Sequence, residues 1–185
     1  MVASQDLPFF ERRMQAFLAQ RGTDIDSHAA VFNLDHGWTE VEATLEGLAL
    51  RPLDLTHAGF VLLMTLWITG PRETRELAAV LRVTRGAIVG AVNTLERRGL
   101  VRRQRSLIDR RLVTVELTDE GGELVVSAQK TWHALEREVT GDLSDDEKRT
   151  LAALCRKMAQ SAKTLRARRG GSSSPELPDP AAVSS

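Results

Sequence analysis

The stretch Thr74-Arg-Glu-Leu-Ala-Ala-Val-Leu-Arg-Val-Thr-Arg-Gly-Ala-Ile-Val-Gly-Ala-Val-Asn-Thr-Leu-Glu-Arg-Arg-Gly99 decides how this chain folds. Leu77, Ala78 and Leu81 recur at helical spacing, and so do Ile88, Val92 and Leu95. Between the two sets Arg82-Val83 leaves room only for a tight turn, and Thr74 and Thr84 stand where helix N-caps belong. Gly99 ends the second helix. The period then changes from helical to alternating. Leu100-Val-Arg-Arg-Gln-Arg-Ser-Leu-Ile-Asp-Arg-Arg-Leu-Val-Thr-Val-Glu-Leu117 reads as two strands around a charged turn, with Val113, Val115 and Leu117 sharing a face. Helix, turn, helix and a basic two-stranded ribbon predict a winged helix-turn-helix.

Outward from this core the pattern stays helical. Upstream, Thr56 caps a helix through Leu62, Leu63, Leu66 and Trp67, ended by Gly70-Pro71. Its residues are apolar nearly all round, as in a buried central helix. Before it, Val31, Leu34, Trp38, Val41, Leu45 and Leu48 mark a helix from Asp24–Ser27 to about Leu50, stopped by Pro52. Phe9, Phe10, Met14, Phe17 and Leu18 mark a shorter one ending at Gly22. Downstream, Thr118-Asp-Glu-Gly121 opens a helix to about Val139. Ser144-Asp-Asp-Glu147 is a capping box for a last helix through Leu151, Leu154, Met158 and Ala162 to about Ala167. Residues 168–185 are rich in Gly, Ser and Pro and read as a disordered tail. The fold class is mainly α with a small β-wing.

Composition narrows the function. The 185 residues suit one domain with an extra arm, and the single cysteine, Cys155, excludes a disulfide scaffold. Cys155 follows Leu154 in the last helix and reads as a buried structural thiol. The longest apolar run, Gly59–Gly70, is too short to span a bilayer, so no membrane partner is expected. Met1-Val-Ala-Ser-Gln-Asp-Leu-Pro has neither a basic start nor an apolar signal core, which makes the expected location cytoplasmic. His28 and His36 lie two helical turns apart, too far to chelate together, so no metal is expected. No cofactor motif appears, and no Gly-rich loop, nucleophile turn or apolar carboxylate pair supports an enzyme.

Charge is the positive signal. Lys+Arg 25 balance Asp+Glu 25, yet residues 82–111 hold nine arginines against Glu96 and Asp109, leaving an excess of seven. Residues 1–50 run the other way, with eight acids against Arg12, Arg13 and Arg21. Such asymmetry is the footprint of a polyanion partner. The second short helix turns Arg85, Gly86, Val89, Gly90, Asn93 and Arg97 outward, with Ala87 beside them. A helix that narrow can seat in a major groove of double-stranded DNA. Its N-terminus and the Thr84 hydroxyl favour a phosphate. Arg102, Arg103, Arg105, Arg110 and Arg111 form the flanking ribbon. Arginine there suits the sugar-phosphate backbone and the minor groove.

Leu77-Ala78, Val83-Thr84-Arg85, Leu95-Glu-Arg-Arg-Gly-Leu-Val101, Asp109-Arg-Arg111 and Leu117-Thr-Asp-Glu-Gly121 occur in the order and spacing of MarR-type (multiple antibiotic resistance regulator) proteins, which the chain resembles over roughly 55–125. The resemblance implies a dimeric transcription regulator, expected to be a repressor, on pseudo-palindromic DNA. It implies a division into 1–22 (extra helix), 23–54 (dimerisation helix), 55–119 (DNA-binding domain), 120–167 (C-terminal dimerisation helices) and 168–185 (tail). By it Arg111 enters the minor groove and Asp109 orients it. Relatives often carry a hydroxyl residue and a long basic or amide residue where this chain has Ala87 and Gly90. That leaves Thr84, Arg85 and Asn93 as base readers and shifts weight to phosphate and shape. The resemblance also implies a small aromatic or anionic effector in a cleft on the segments bearing His36, Trp38, His57, Phe60, Met64 and Trp67. The alternative for these aromatics is plain core. The alternative for the whole chain is a winged-helix module that binds protein, against which the arginine excess speaks.

Overall fold

The computed structural model describes residues 9–105 and 113–170, which fall into two compact units divided between Thr44 and Leu45. In the first, α1 (Phe9–Ala19) and α2 (Ile25–Leu45) meet through the Phe10 and Phe32 rings at 6.4 Å. The carboxylate of Glu11 is buried here. It accepts from Gln15 Nε2 at 3.2 Å and from Asn33 Nδ2 at 2.9 Å, which satisfies a group too costly to bury alone. Asp24 caps α2 by accepting from the Ser27 hydroxyl at 2.7 Å and the Ser27 amide at 3.2 Å. Those two bonds, the hydroxyl first, hold its carboxyl below the usual range.

The second unit begins with a π-helical turn, Glu46–Leu50, and a 3₁₀ turn, Arg51–Leu53. Pro52 therefore does not stop the helical path. It occupies an early position of the 3₁₀ turn, where a missing N–H costs nothing, and Asp54 in the left-handed region (φ 52°) ends it. Helix α3 (His57–Thr69) follows, with the Thr56 hydroxyl accepting from Gly59 N at 3.1 Å. Phe60, Leu62, Leu63 and Leu66 are buried, but Trp67 and Ile68 at its C-terminal end are exposed, so α3 is not buried all round.

Strand β1 (Arg72–Glu73) leads into α4 (Thr74–Leu81) and α5 (Arg85–Arg97). Thr74 is the first residue of α4 and not its cap. Glu73 takes the cap position, its N–H donating to the Glu76 carboxylate at 3.0 Å. Arg82 makes the turn in the left-handed region (φ 55°), and the Thr84 hydroxyl caps α5 by accepting from Ala87 N at 3.2 Å. Leu77 and Ala78 face Ile88, Val92 and Leu95 in one core cluster. Strands β2 (Val101–Arg105) and β3 (Val113–Leu117) form the wing, and β1 adds to β3 in an antiparallel sheet of order β1-β3-β2. Register pairs Val101 with Leu117, Arg103 with Val115, and Arg72 also with Val115.

Helix α6 (Asp119–Val139) starts at Thr118 and packs on α3 through Val125 and Ala128. Helix α7 (Asp145–Gly170) opens with the expected capping box. Glu147 accepts from the Ser144 hydroxyl at 2.7 Å and the Ser144 amide at 2.8 Å. The hydroxyl, then the amide, holds its carboxyl below the usual range. That contribution is present at neutral pH and disappears as pH falls through the lowered value. The helix continues through Arg168–Gly170, three residues into the span read as tail. Cys155 is half-buried, not buried, and neighbouring Leu154 is exposed.

One glycine is required by packing. A Cβ on Gly121 would lie 1.9 Å from the Leu100 carbonyl oxygen. Gly121→Ala should therefore lower stability by about 3 kcal/mol, since the clash is with backbone that cannot step aside. Urea unfolding followed by helical circular dichroism checks this.

Candidate nucleic-acid interface

Helix α5 is built as a two-sided element. Ile88, Val92 and Leu95 fill the core, while Thr84, Arg85, Gly86, Ala87, Val89, Gly90 and Asn93 are all exposed, as is Arg97. A Cβ on Gly90 would meet nothing within 4 Å, and one on Gly86 only the Thr84 hydroxyl at 3.9 Å. Nothing inside the fold calls for glycine at either position. Gly90 lies in the helix interior, where glycine costs about 1 kcal/mol relative to alanine. What the two glycines do is flatten the outer surface, which holds a shallow depression lined by Gly90, Asn93, Thr94, Glu96 and Arg97.

The arginines divide into two groups. Arg98 is turned inward, its guanidinium donating to the carbonyls of Asp54 and, at 2.9 Å, Leu53. Arg103 is also taken up within the chain. It pairs with the Glu96 carboxylate, donates to Asn93 Oδ1 at 2.6 Å, and sends its backbone N–H to Glu96 at 3.2 Å. Arg102 donates to Glu116 across the strands at 2.5 Å. By contrast, Arg82, Arg85 and Arg105 are exposed with no carboxylate partner among the described residues. Arg97 reaches only Asn93 O and the Thr94 hydroxyl, each at 3.4 Å.

The expected set is thus partly rearranged. Arg103 and Asn93, read as independent contacts, are joined to each other and to Glu96. Arg103 links wing to helix where an open wing cation was expected. Asp109, Arg110 and Arg111 lie outside the described residues. Glu96 was not singled out from sequence, although its spacing of three from Asn93 puts both on one side of the helix.

The residues read as an effector cleft fall in both units, His36 and Trp38 in the first and His57, Phe60, Met64 and Trp67 in the second. His57 stacks on Trp132 at 5.5 Å and 2°, and Phe60 tilts against the same indole at 5.1 Å. Trp132 Nε1 donates to Glu136 at 2.8 Å, and the His57 amide donates to Glu46 in the π-helical turn at 3.3 Å. Met64 packs half-buried on the core, whereas Trp67 stands out from α3. In the first unit, His36 stacks on Phe32 at 5.9 Å and His28 on the same ring at 5.8 Å, and Trp38 is exposed. Plain core accounts for Phe60 and not for Trp38 or Trp67. Trp132 was missed because its approach to His57 is a long-range contact with no local sequence signal.

This arrangement defines a winged helix-turn-helix protein whose second helix turns a flat, cation-flanked face outward. Comparison with known proteins agrees. The MarR family model matches residues 55–113. An uncharacterised HTH-type transcriptional regulator of Bacillus subtilis (strain 168), YwaE, is 27% identical over 141 residues, covering 76% of this chain and 82% of the relative. Wild-type MarR from E. coli in its apo form is 30% identical, with a TM-score of 0.59 over 68% of this chain and 94% of that one. A mutant MarR from E. coli complexed with operator DNA is 28% identical, with a TM-score of 0.65 over 74% and 98%. Bordetella bronchiseptica BpsR, whose DNA binding is regulated by 6-hydroxynicotinic acid, is 25% identical, with a TM-score of 0.63 over 68% and 89%. The chain belongs to the MarR family and is a transcriptional regulator, a class of proteins that are not enzymes. No single helix among the described residues is long and apolar enough to cross a membrane.

Removing the half-buried carboxylate that holds the wing to α5 should be felt in the fold. Glu96→Gln is expected to lower stability by about 1 kcal/mol, because the charged partner of Arg103 is lost while a hydrogen bond remains possible. Chemical denaturation at low and high salt checks this, with the difference narrowing as salt rises.

Proposed function

We propose that this regulator works as a homodimeric repressor on pseudo-palindromic duplex DNA and is released by a small aromatic or anionic effector. The observation that carries the DNA reading is the outer face of α5. Its glycines answer no internal packing need, and the cations beside it, Arg82, Arg85 and Arg105, lack carboxylate partners among the described residues. Arg82 adds weight: a non-glycine residue in the left-handed region costs about 1 kcal/mol, and here it aims a cation outward at the turn. In this reading α5 enters the major groove, with Thr84, Arg85 and Asn93 nearest the bases and Gly86, Ala87, Val89 and Gly90 allowing close approach. Arg102, Arg105 and Arg110 contact phosphates. By family resemblance Arg111 enters the minor groove, oriented by Asp109.

Dimerisation is supported by surfaces the chain does not cover itself. Helix α7 has no buried residue over 145–169, and Leu151, Leu154 and Leu165 are each about half exposed. Phe9, Phe10, Phe17 and Val31 are exposed in the first unit. We assign residues 23–54 and 120–167 to the dimer interface, 55–119 to DNA binding and α1 to an additional N-terminal helix. The effector reading rests on the aromatic group of His57, Phe60 and Trp132, and on the regulation of BpsR by an aromatic acid.

Selection of the purified protein on randomised duplex DNA at about physiological salt tests the central claim. An inverted repeat with half-sites about one helical turn apart is expected. Enrichment of nothing by a folded dimer would overturn it in favour of a protein partner. The selected duplex then reports release when aromatic acids and phenols are added. Gly90→Ala separates folding from function, because it should raise stability by about 0.5–1 kcal/mol while weakening binding to that duplex. Thermal unfolding and fluorescence anisotropy measure the two sides.

A further inference from the structure

We infer that Arg103 fixes Asn93 as a donor-only reader of the major groove, so that the base opposite Asn93 is guanine and not adenine. The inference rests on the DNA reading above and adds a base preference to it. Asn93 is exposed on the outer face of α5, in line with Arg85 and Val89 at helical spacing. Its side-chain oxygen accepts from Arg103 Nη2 at 2.6 Å. The assignment of oxygen and nitrogen follows from chemistry, since a guanidinium has only donors and must face the amide oxygen.

Arg103 is itself held. Glu96 engages its other terminal nitrogen and also accepts its backbone N–H at 3.2 Å. The guanidinium thus bridges a carboxylate and an amide from one helix, with its own backbone fixed in β2 opposite Val115. This leaves Asn93, one of the residues lining the depression beside Gly90 and Thr94, with Nδ2 and its two N–H donors unengaged among the described residues.

An unrestrained asparagine recognises adenine by using oxygen and nitrogen side by side, accepting from N6 and donating to N7. An amide whose oxygen is turned to the wing cannot offer that pair. Guanine presents two acceptors, N7 and O6, and cytosine only a donor. A donor-only amide therefore favours guanine most and cytosine least. Arg103 acts here as a positioning residue, with no contact to the base.

The test compares base preferences of the full-length wild type with Asn93→Ala, Arg103→Met and Arg103→Lys, each selected on randomised duplex DNA. The position whose preference collapses in Asn93→Ala is the one Asn93 reads. Wild type should prefer guanine there by about fivefold over adenine, the worth of one net hydrogen bond. Arg103→Met frees the oxygen and should move the preference toward adenine, while Arg103→Lys, still donor-only, should retain guanine. If Arg103→Met does not fold, wild type on a duplex carrying 7-deazaguanine at that position decides. A loss of severalfold is expected, and an unchanged affinity would overturn the inference. Adenine at that position in wild type would overturn it too, as would identical preferences in wild type and Asn93→Ala. A wild type that selects no sequence would instead overturn the DNA reading itself.

Discussion

Leu100 turns the chain from α5 into β2, and its carbonyl oxygen is approached from two directions. The amide of Thr118 donates to it at 3.2 Å, and Gly121 lies so close that no side chain fits between them. Thr118 closes the junction with its hydroxyl, which donates to Gly99 O at 2.6 Å and accepts from Gly121 N at 3.0 Å. Four elements meet at these few atoms: the end of α5, the start of β2, the end of β3 and the first turn of α6. The Leu-Thr-x-x-Gly pattern at 117–121 thus has a steric and hydrogen-bonding cause. The base of the ribbon, where Val101 pairs with Leu117, is pinned here, and the placement of Arg103 beside Asn93 follows from that register.

Once the ribbon is pinned, local ion pairs sort the cations. The excess of seven counted along residues 82–111 overstates what is open to a partner, because Arg98 and Arg103 are consumed by the fold and Arg102 shares Glu116. The open charge sits at the turn before α5, along its outer face and on β2, at Arg82, Arg85, Arg97 and Arg105. In the Arg102–Glu116 pair the arginine side chain is 68% exposed and its carboxylate partner only 16%, so the guanidinium faces solvent while Glu116 is largely covered. Half-buried Arg103, bridging two acceptors, is a different case. Pulling it away would strand Glu96, so it serves geometry in place of affinity.

What could be read from sequence was what short-range periodicity encodes. Both helices of the motif, their turn at Arg82-Val83, the Thr56, Thr84 and Thr118 caps and the capping box at Ser144 all follow from spacings of a few residues. Strand β1 was not legible, because two residues cannot display a period and its pairing with β3 is long-range. Thr74 was misread as a cap because Glu73 supplies a capping box one residue earlier. Among site residues, exposure on α5 followed from the inner face being apolar. The union of Asn93, Glu96 and Arg103 did not, since it depends on strand register. Trp132 beneath His57 was invisible for the same reason: the contact joins α3 to α6 across many residues of chain.

The cost of unusual residues separates the two sides of α5. Gly121 and Gly86 are both helical, yet the first is dictated by the Leu100 carbonyl and the second by nothing within the chain. A residue that lowers intrinsic stability without an internal reason is best explained by an external surface it must fit. Gly86, Gly90 and the left-handed Arg82 all meet that description, and all lie along one edge of the motif. Apolar side chains left outward on α7 obey the same logic from the opposite sign. Leu151, Leu154 and Leu165 favour burial, the described residues offer them none, and the proposed partner copy is what would cover them. Strain and flatness toward the proposed groove, with apolar surface toward the proposed partner copy, are what a protein needs that must hold two reading helices at a fixed separation.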